Sequence, residues 1–354
     1  MRRVISAGCL LLLAVIVHAG EDVYSVATFE AVPMSMGGAV TARLGGLESV
    51  FYNPATYTHK TPRLWESGLE LTVYTNPPAA FAYGARALEG REPPGKPSYD
   101  APLLFLRGIN AAYKPFHIGA VFAEEELQPL DSKSDHLFNI DQIPDNRRLA
   151  GYATIVLSRQ VRIGASVTGF FRERRMRQYG TSYGLYLVPS RLIQVGVFFC
   201  DVPDFHQDST FTGGDPLSAG SNGESVSVRH PYAGLEDESV NIGFSLQPNR
   251  NSRILVDLRS VFIEDGSKQI EARIGAEGRI GDHLALRAGA IPNTREGDHV
   301  VTWGIGLVDL HRFGEQIGLY EAPGFLLNYA LVYRFGDSGR DRAHFFTMSW
   351  ELGN

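Results

Sequence analysis

His206, Asp208 and Ser209 are the residue types of a base, an orienting acid and a nucleophile, and they stand together in one short stretch of the chain. Hydrolysis by such a trio needs the three side chains to converge from rigid elements, with amide donors aimed at the developing oxyanion. Side chains this close in sequence do not face one another reliably, and nothing around them marks a rigid nucleophile turn. His117, His136, His230, His283, His299, His311 and His344 show no metal-ligand spacing. A phosphate-cradling glycine loop and a dinucleotide fingerprint are both missing from the sequence. The expectation is a protein that is not an enzyme and carries neither metal nor cofactor.

Two charge clusters could bind ions. Glu124, Glu125 and Glu126 stand at the outer end of a predicted strand and read as a solvated rim, with divalent cations as an alternative use. Arg172, Arg174, Arg175 and Arg177 read as a solvated loop, and lipopolysaccharide phosphates would suit them. A net charge of −6 argues against nucleic acid as a partner, because phosphate neutralisation needs clustered Lys and Arg.

The elements that would position such groups follow from a period of two. From Gln269 to Ile280, Ile270, Ala272, Ile274, Ala276, Gly278 and Ile280 alternate with Glu271, Arg273, Glu277 and Arg279. Successive strand residues point to opposite faces, so this is a strand with one apolar and one charged side. Ser239 to Gln247, Arg253 to Glu264 and Phe325 to Phe335 repeat the pattern. Strands are predicted over roughly 65–75, 103–114, 117–126, 149–158, 161–172, 181–188, 193–201, 239–247, 253–264, 269–279, 284–291, 299–308, 324–335 and 341–352. This is an even set of about fourteen, as a closed single-chain barrel requires. Ala79 to Ala87 could form a further strand, but counting it makes the total odd.

Met1-Arg2-Arg3, the apolar run Val4 to Val17 and His18-Ala19-Gly20 read as a signal peptide ending near residue 20. Cys200 is then the only cysteine left, so no internal disulfide can form. The composition is 44% hydrophobic, yet mean hydropathy is only −0.10. Half-polar strands explain that pairing of values. No later run of 18 apolar residues occurs, so helical spans are not expected. Connections near 114–115, 158–160, 189–191 and 281–283 are tight, whereas 76–102, 127–148 and 202–238 are long. Tight turns at one rim and long loops at the other are the asymmetry of an outer-membrane barrel; only the stretch from 308 to 323 breaks it. Trp65, Tyr74, Tyr113, Phe116, Phe335 and Trp350 lie near predicted strand ends, where interfacial girdles form. A soluble sandwich would also alternate, and it is the competing architecture.

Residues 21–64 lack a strong strand pattern and are predicted to form a compact plug inside a barrel of residues 65–354. Irregular backbone at membrane depth is tolerated only where protein or water covers it. Met36-Gly37-Gly38-Ala39, then Ser49-Val50-Phe51-Tyr52-Asn53-Pro54-Ala55 shortly before the first strand, resemble the FadL superfamily of outer-membrane transporters, which includes PorV-like proteins. The resemblance implies an all-β transmembrane antiparallel barrel of about fourteen strands with an N-terminal hatch in its lumen, in the bacterial outer membrane. It also implies passive uptake of hydrophobic or amphipathic molecules such as long-chain fatty acids, or alternatively a PorV-like docking role in secretion with protein partners. Phe51, Tyr52, Asn53, Pro54 and Ala55 would be hatch or ligand-path residues by position. Their facing makes Arg162, Arg259 and Arg279 candidates for orienting a ligand carboxylate. Expected partners are outer-membrane lipid and lipopolysaccharide, a hydrophobic small molecule, and the outer-membrane assembly machinery during biogenesis. The chain departs from the usual aromatic end of such barrels by finishing Leu352-Gly353-Asn354, which leaves Trp350 for that role.

Overall fold

A computed structural model describes residues 23–25, 31–58, 70–75, 106–113, 115–124, 128–129, 146–172, 175–201, 239–249, 251–262, 268–281, 284–293, 299–307, 324–336 and 339–353. Its strands are β1 (Val23–Ser25), β2 (Glu70–Thr75), β3 (Leu106–Tyr113), β4 (Phe116–Glu124), β5 (Gln128–Pro129), β6 (Asn146–Val156), β7 (Val161–Arg172) and β8 (Arg175–Leu187). They continue as β9 (Ile193–Asp201), β10 (Ser239–Asn249), β11 (Ser252–Phe262), β12 (Lys268–Ile280), β13 (Leu284–Ile291), β14 (His299–Leu307), β15 (Gly324–Gly336) and β16 (Gly339–Gly353).

Apart from β1 and β5, fourteen strands pair antiparallel with their chain neighbours, and β16 returns to β2 with Trp350 opposite Thr75 and Gly353 opposite Thr72. The sheet therefore closes on itself and leaves no edge within the ring. Outside the ring order, β1 lies parallel to β16 at Ala343 to Phe345, and β5 pairs with β1.

Side-chain exposure runs opposite to that of a water-soluble protein. On β12, Ile270, Ile274 and Ile280 are 70%, 44% and 59% exposed, while Glu271, Arg273 and Glu277 are 6%, 2% and 4% exposed. The same inversion places Ile242, Phe244, Ile254, Val256, Leu258, Trp303 and Ile305 outside, and Asn241, Asp257, Arg259 and Thr302 inside. Water would penalise that apolar belt and hydrocarbon would not, so the outer face is a lipid face. Among the described residues no second protein layer, as in a sandwich, covers it. No described helix is long and apolar enough to cross a membrane, so the crossing is made by strands. Tyr113 and Phe116 flank the β3–β4 turn at 60% and 44% exposure, as interfacial aromatics do.

One rim is built of short turns fixed by local side chains. Ser158 Oγ accepts from the amides of Gln160 and Val161, each at 3.1 Å, and Ser190 Oγ accepts from the amides of Leu192 (3.3 Å) and Ile193 (3.1 Å). Asn249 Oδ1 accepts from Asn251 N, and Gly281 takes φ of 62° in the β12–β13 turn. Short turns mark this as the periplasmic rim.

The arginine run differs from its expected loop. Arg172 ends β7 and pairs with Arg175 at the start of β8, so a tight hairpin replaces the longer connection expected before residue 181. Above the belt the outward residues need not be apolar, so Arg175 to Gln178 extends a strand without the alternation that would reveal it. The additional strands β1 and β5 were likewise not expected. The signal peptide, Trp65, Ala79 to Ala87, the loop with His206, Asp208 and Ser209, and the stretch 308–323 lie outside the described residues.

Candidate functional site: the hatch and its seat

Residues 31–58 fill the lumen. Their short helical turns are Ala31–Met34, Leu47–Phe51 and Pro54–Thr56, with Gly37 and Gly38 at φ of 62° and 75° making the bend between the first two. The hatch has its own apolar interior, in which Val32, Met36, Val40, Leu47, Val50, Phe51 and Tyr52 meet Val121, Ala150, Phe198, Cys200 and Leu255 of the wall. A second cluster joins Ala31 and Met34 to Ile291, Val300, Ala330 and Val332.

Backbone reaches backbone where the wall carries glycine. Gly164 pairs in register with Gly184, Gly196 with Gly243, and Gly275 with Gly289. A Cβ at Gly164 would strike the main chain of Pro54 and Ala55; at Gly196, that of Thr41 and Ala42; at Gly289, that of Met36 and Gly37. Gly243 faces Thr41 and Ala42, and Gly275 faces Met36. The three pairs form shelves on which the hatch main chain rests.

Polar contacts lock the hatch there. Asn53 is fully buried: its Nδ2 donates to Thr41 O at 2.8 Å and to Leu185 O of the wall at 3.2 Å, and its Oδ1 accepts from Ala55 N at 3.0 Å. The Asn53-Pro54 step fits because an extended residue precedes Pro54, which starts the helical turn that Asn53 caps. Thr154 Oγ1 donates to Pro54 O at 2.6 Å, Asp257 Oδ2 accepts from Thr41 N at 2.8 Å, and Thr347 Oγ1 accepts from Ala31 N at 3.2 Å. Replacing Asn53 with Ala strands two carbonyls and one amide, so Asn53→Ala is expected to cost about 2–4 kcal/mol. The measurement is the midpoint of heat-modifiable gel migration in detergent.

Lumenal charges are paired within β12, between strands and with the hatch. Arg273 Nε donates to Glu271 Oε1 at 2.5 Å. Glu277 gathers three guanidinium groups: Arg287 at 2.8 Å and Arg279 at 3.4 Å from the wall, and Arg43 at 3.4 Å from the hatch, which also meets Glu48 at 3.4 Å. Arg287 reaches Asn328 Oδ1 as well, at 2.9 Å.

The expected site residues divide between these features. Phe51 and Tyr52 lie in the apolar interior, and Asn53, Pro54 and Ala55 form the polar lock. Arg162 Nη1 donates to Tyr57 O of the hatch at 3.4 Å. Arg279 is held by Glu277, and Arg259 is buried on the inner wall, in register with Asn241 and Glu271. The glycine shelves were overlooked in the sequence, although each shelf glycine occupies an inward phase of its alternating strand. Among the described residues no cluster could hold a metal ion.

No protein family and no curated protein matches this chain by sequence. Its structure is similar to the toluene transporter TbuX of Ralstonia pickettii, at 14% identity and a TM-score of 0.48 over 93% of this chain and 99% of that one. It is also similar to the CymD monoaromatic hydrocarbon channel, at 12% identity and 0.44 over 91% and 96% of the two chains. For the toluene transporter TodX of Pseudomonas putida the values are 12% and 0.43 over 94% and 98%. At such identities the printed activities belong to those proteins alone. By its own belt, turns and lumenal hatch, the chain is a fourteen-stranded β-barrel of the outer-membrane type, the architecture that the resemblance to the FadL superfamily implies.

Proposed function

We propose that the protein is a passive channel through which hydrophobic or amphipathic small molecules, long-chain fatty acids among them, cross the bacterial outer membrane. The observation that carries this reading is the apolar contact between wall and hatch, where Phe198, Cys200, Val121 and Leu255 meet Val40, Val50 and Phe51. A water-filled pore lines its lumen with polar groups. Here the surfaces that would part when the hatch shifts are apolar, and covering them with a ligand contributes roughly 25 cal/mol per Å². The shelves and the polar lock keep the path shut between passages. Lipopolysaccharide and lipid would surround the belt, with the outer-membrane assembly machinery acting during insertion.

The test is deletion of the gene and uptake of labelled fatty acids and aromatic hydrocarbons. Uptake of at least one class is expected to fall and to return on complementation. Unchanged uptake of every hydrophobic compound, or stoichiometric co-purification with secretion components, would overturn the reading.

A further inference from the structure

On its periplasmic side the described lumen, hatch residues included, carries more positive than negative charge. Arg43, Arg162, Arg253, Arg279 and Arg287 stand there against Glu48 and Glu277. Glu277 and Glu48 are taken up by Arg43, Arg279 and Arg287. The hydrogen bonds of Arg162 and Arg253 go to neutral groups: Arg162 donates to the Tyr57 carbonyl at 3.4 Å, and Arg253 Nη2 to Gln247 Oε1 at 3.4 Å, while Glu277, opposite Arg253 in register, is shared with Arg43, Arg279 and Arg287. Neither residue is fully buried.

These two arginines border a group of polar atoms with no partner. Tyr186 sits opposite Arg162 in register and is within electrostatic reach of both arginines, yet its buried hydroxyl has no hydrogen-bond partner. Arg253 Nε lacks one too. Gln194 donates through Nε2 to Gln247 Oε1 at 3.2 Å, which ties β9 to the same patch. Two cations and an idle hydroxyl converging on one lumenal surface, with the nearby carboxylates already engaged, make a donor set that lacks an acceptor.

We propose that Arg162 and Arg253, with the Tyr186 hydroxyl between them, form an anion-binding exit subsite that takes the carboxylate of an amphipathic molecule leaving beneath the hatch. A guanidinium fork suits a carboxylate, and charge-assisted bonds are the stronger kind. The inference rests on the transport reading above and adds to it a direction and a preference: the apolar tail is covered between wall and hatch, and the head is captured at the periplasmic exit.

Binding of decanoate and of decanol to the purified detergent-solubilised protein, at a pH where the acid is ionised, separates the two ideas. Decanoate is expected to bind roughly tenfold more tightly than decanol. R162Q/R253Q should abolish that preference, whereas R162K/R253K, which keeps both charges, should retain most of it; heat-modifiable migration checks that each variant is folded. Decanol binding with decanoate no tighter in the unaltered protein, or a preference that survives R162Q/R253Q, overturns the subsite and leaves the transport reading standing. Failure of both compounds to bind overturns both.

Discussion

Glu277→Ala is expected to lower the stability of the barrel by about 3–5 kcal/mol, the usual cost of removing one partner from a buried ionic cluster. Glu277 is 4% exposed and contacts Arg287, Arg279 and Arg43. Truncation leaves three cations facing one another inside the wall, so the loss exceeds that of a single ion pair. Arg43 belongs to the hatch and Arg287 to β13, so the substitution loosens the hatch as well as the strand. Arg279→Gln provides the contrast: its side chain is 33% exposed, so the expected loss is below about 1 kcal/mol. Denaturant titration of detergent-solubilised protein, read by the heat-modifiable band shift, checks both. Equal losses for the two variants would refute Glu277 as the hub.

Gly196→Leu is expected to unseat the hatch while leaving the strands paired. Any side chain at Gly196 meets the main chain of Thr41 and Ala42, which cannot rotate away as a flexible side chain would. Overpacking of this kind costs about 1–3 kcal/mol, and the hatch is the part free to move. Planar-bilayer conductance should rise, and a protease should gain access near Arg43. Gly278→Leu is the matched control, because a Cβ there meets nothing within 4 Å and points into lipid. A closed, protease-resistant Gly196→Leu would show that the shelf does not seat the hatch.

How much of this could be read from the chain varies with the range of the interaction. The period of two in 269–280 is local, and it correctly placed Glu271, Arg273 and Glu277 inside and Ile270 and Ile274 outside. Ser158 and Gly281 announced their turns for the same reason. Fourteen strands were legible because lipid imposes the alternation on each one. It failed for Arg175 to Gln178, where β8 rises above the belt and lipid no longer selects the outward residues. Asn53-Pro54 was visible as irregular backbone, but its bond to Leu185 O, 132 residues away, was not. Nor could sequence join Arg43 to Glu277 across 234 residues, because opposite charges are common and the pair forms only where the seated hatch meets β12. Inward glycines on adjacent strands were the one long-range signal within reach, since strand phase and order together place them side by side.

The last strand has two neighbours on the flank away from β15. Near its end it holds β2, and nearer its start, at Ala343 to Phe345, it holds β1. Both joints tie the earliest described strands to β16. A fragment that stops before Trp350 therefore lacks the residues that pair with β2 and complete the circle. Loop closure over nearly the whole chain makes that last joint the entropically costliest one to form. A truncation that removed only Trp350 to Gly353 would take away every backbone rung between β16 and β2 and leave an open, curled sheet in place of a cylinder.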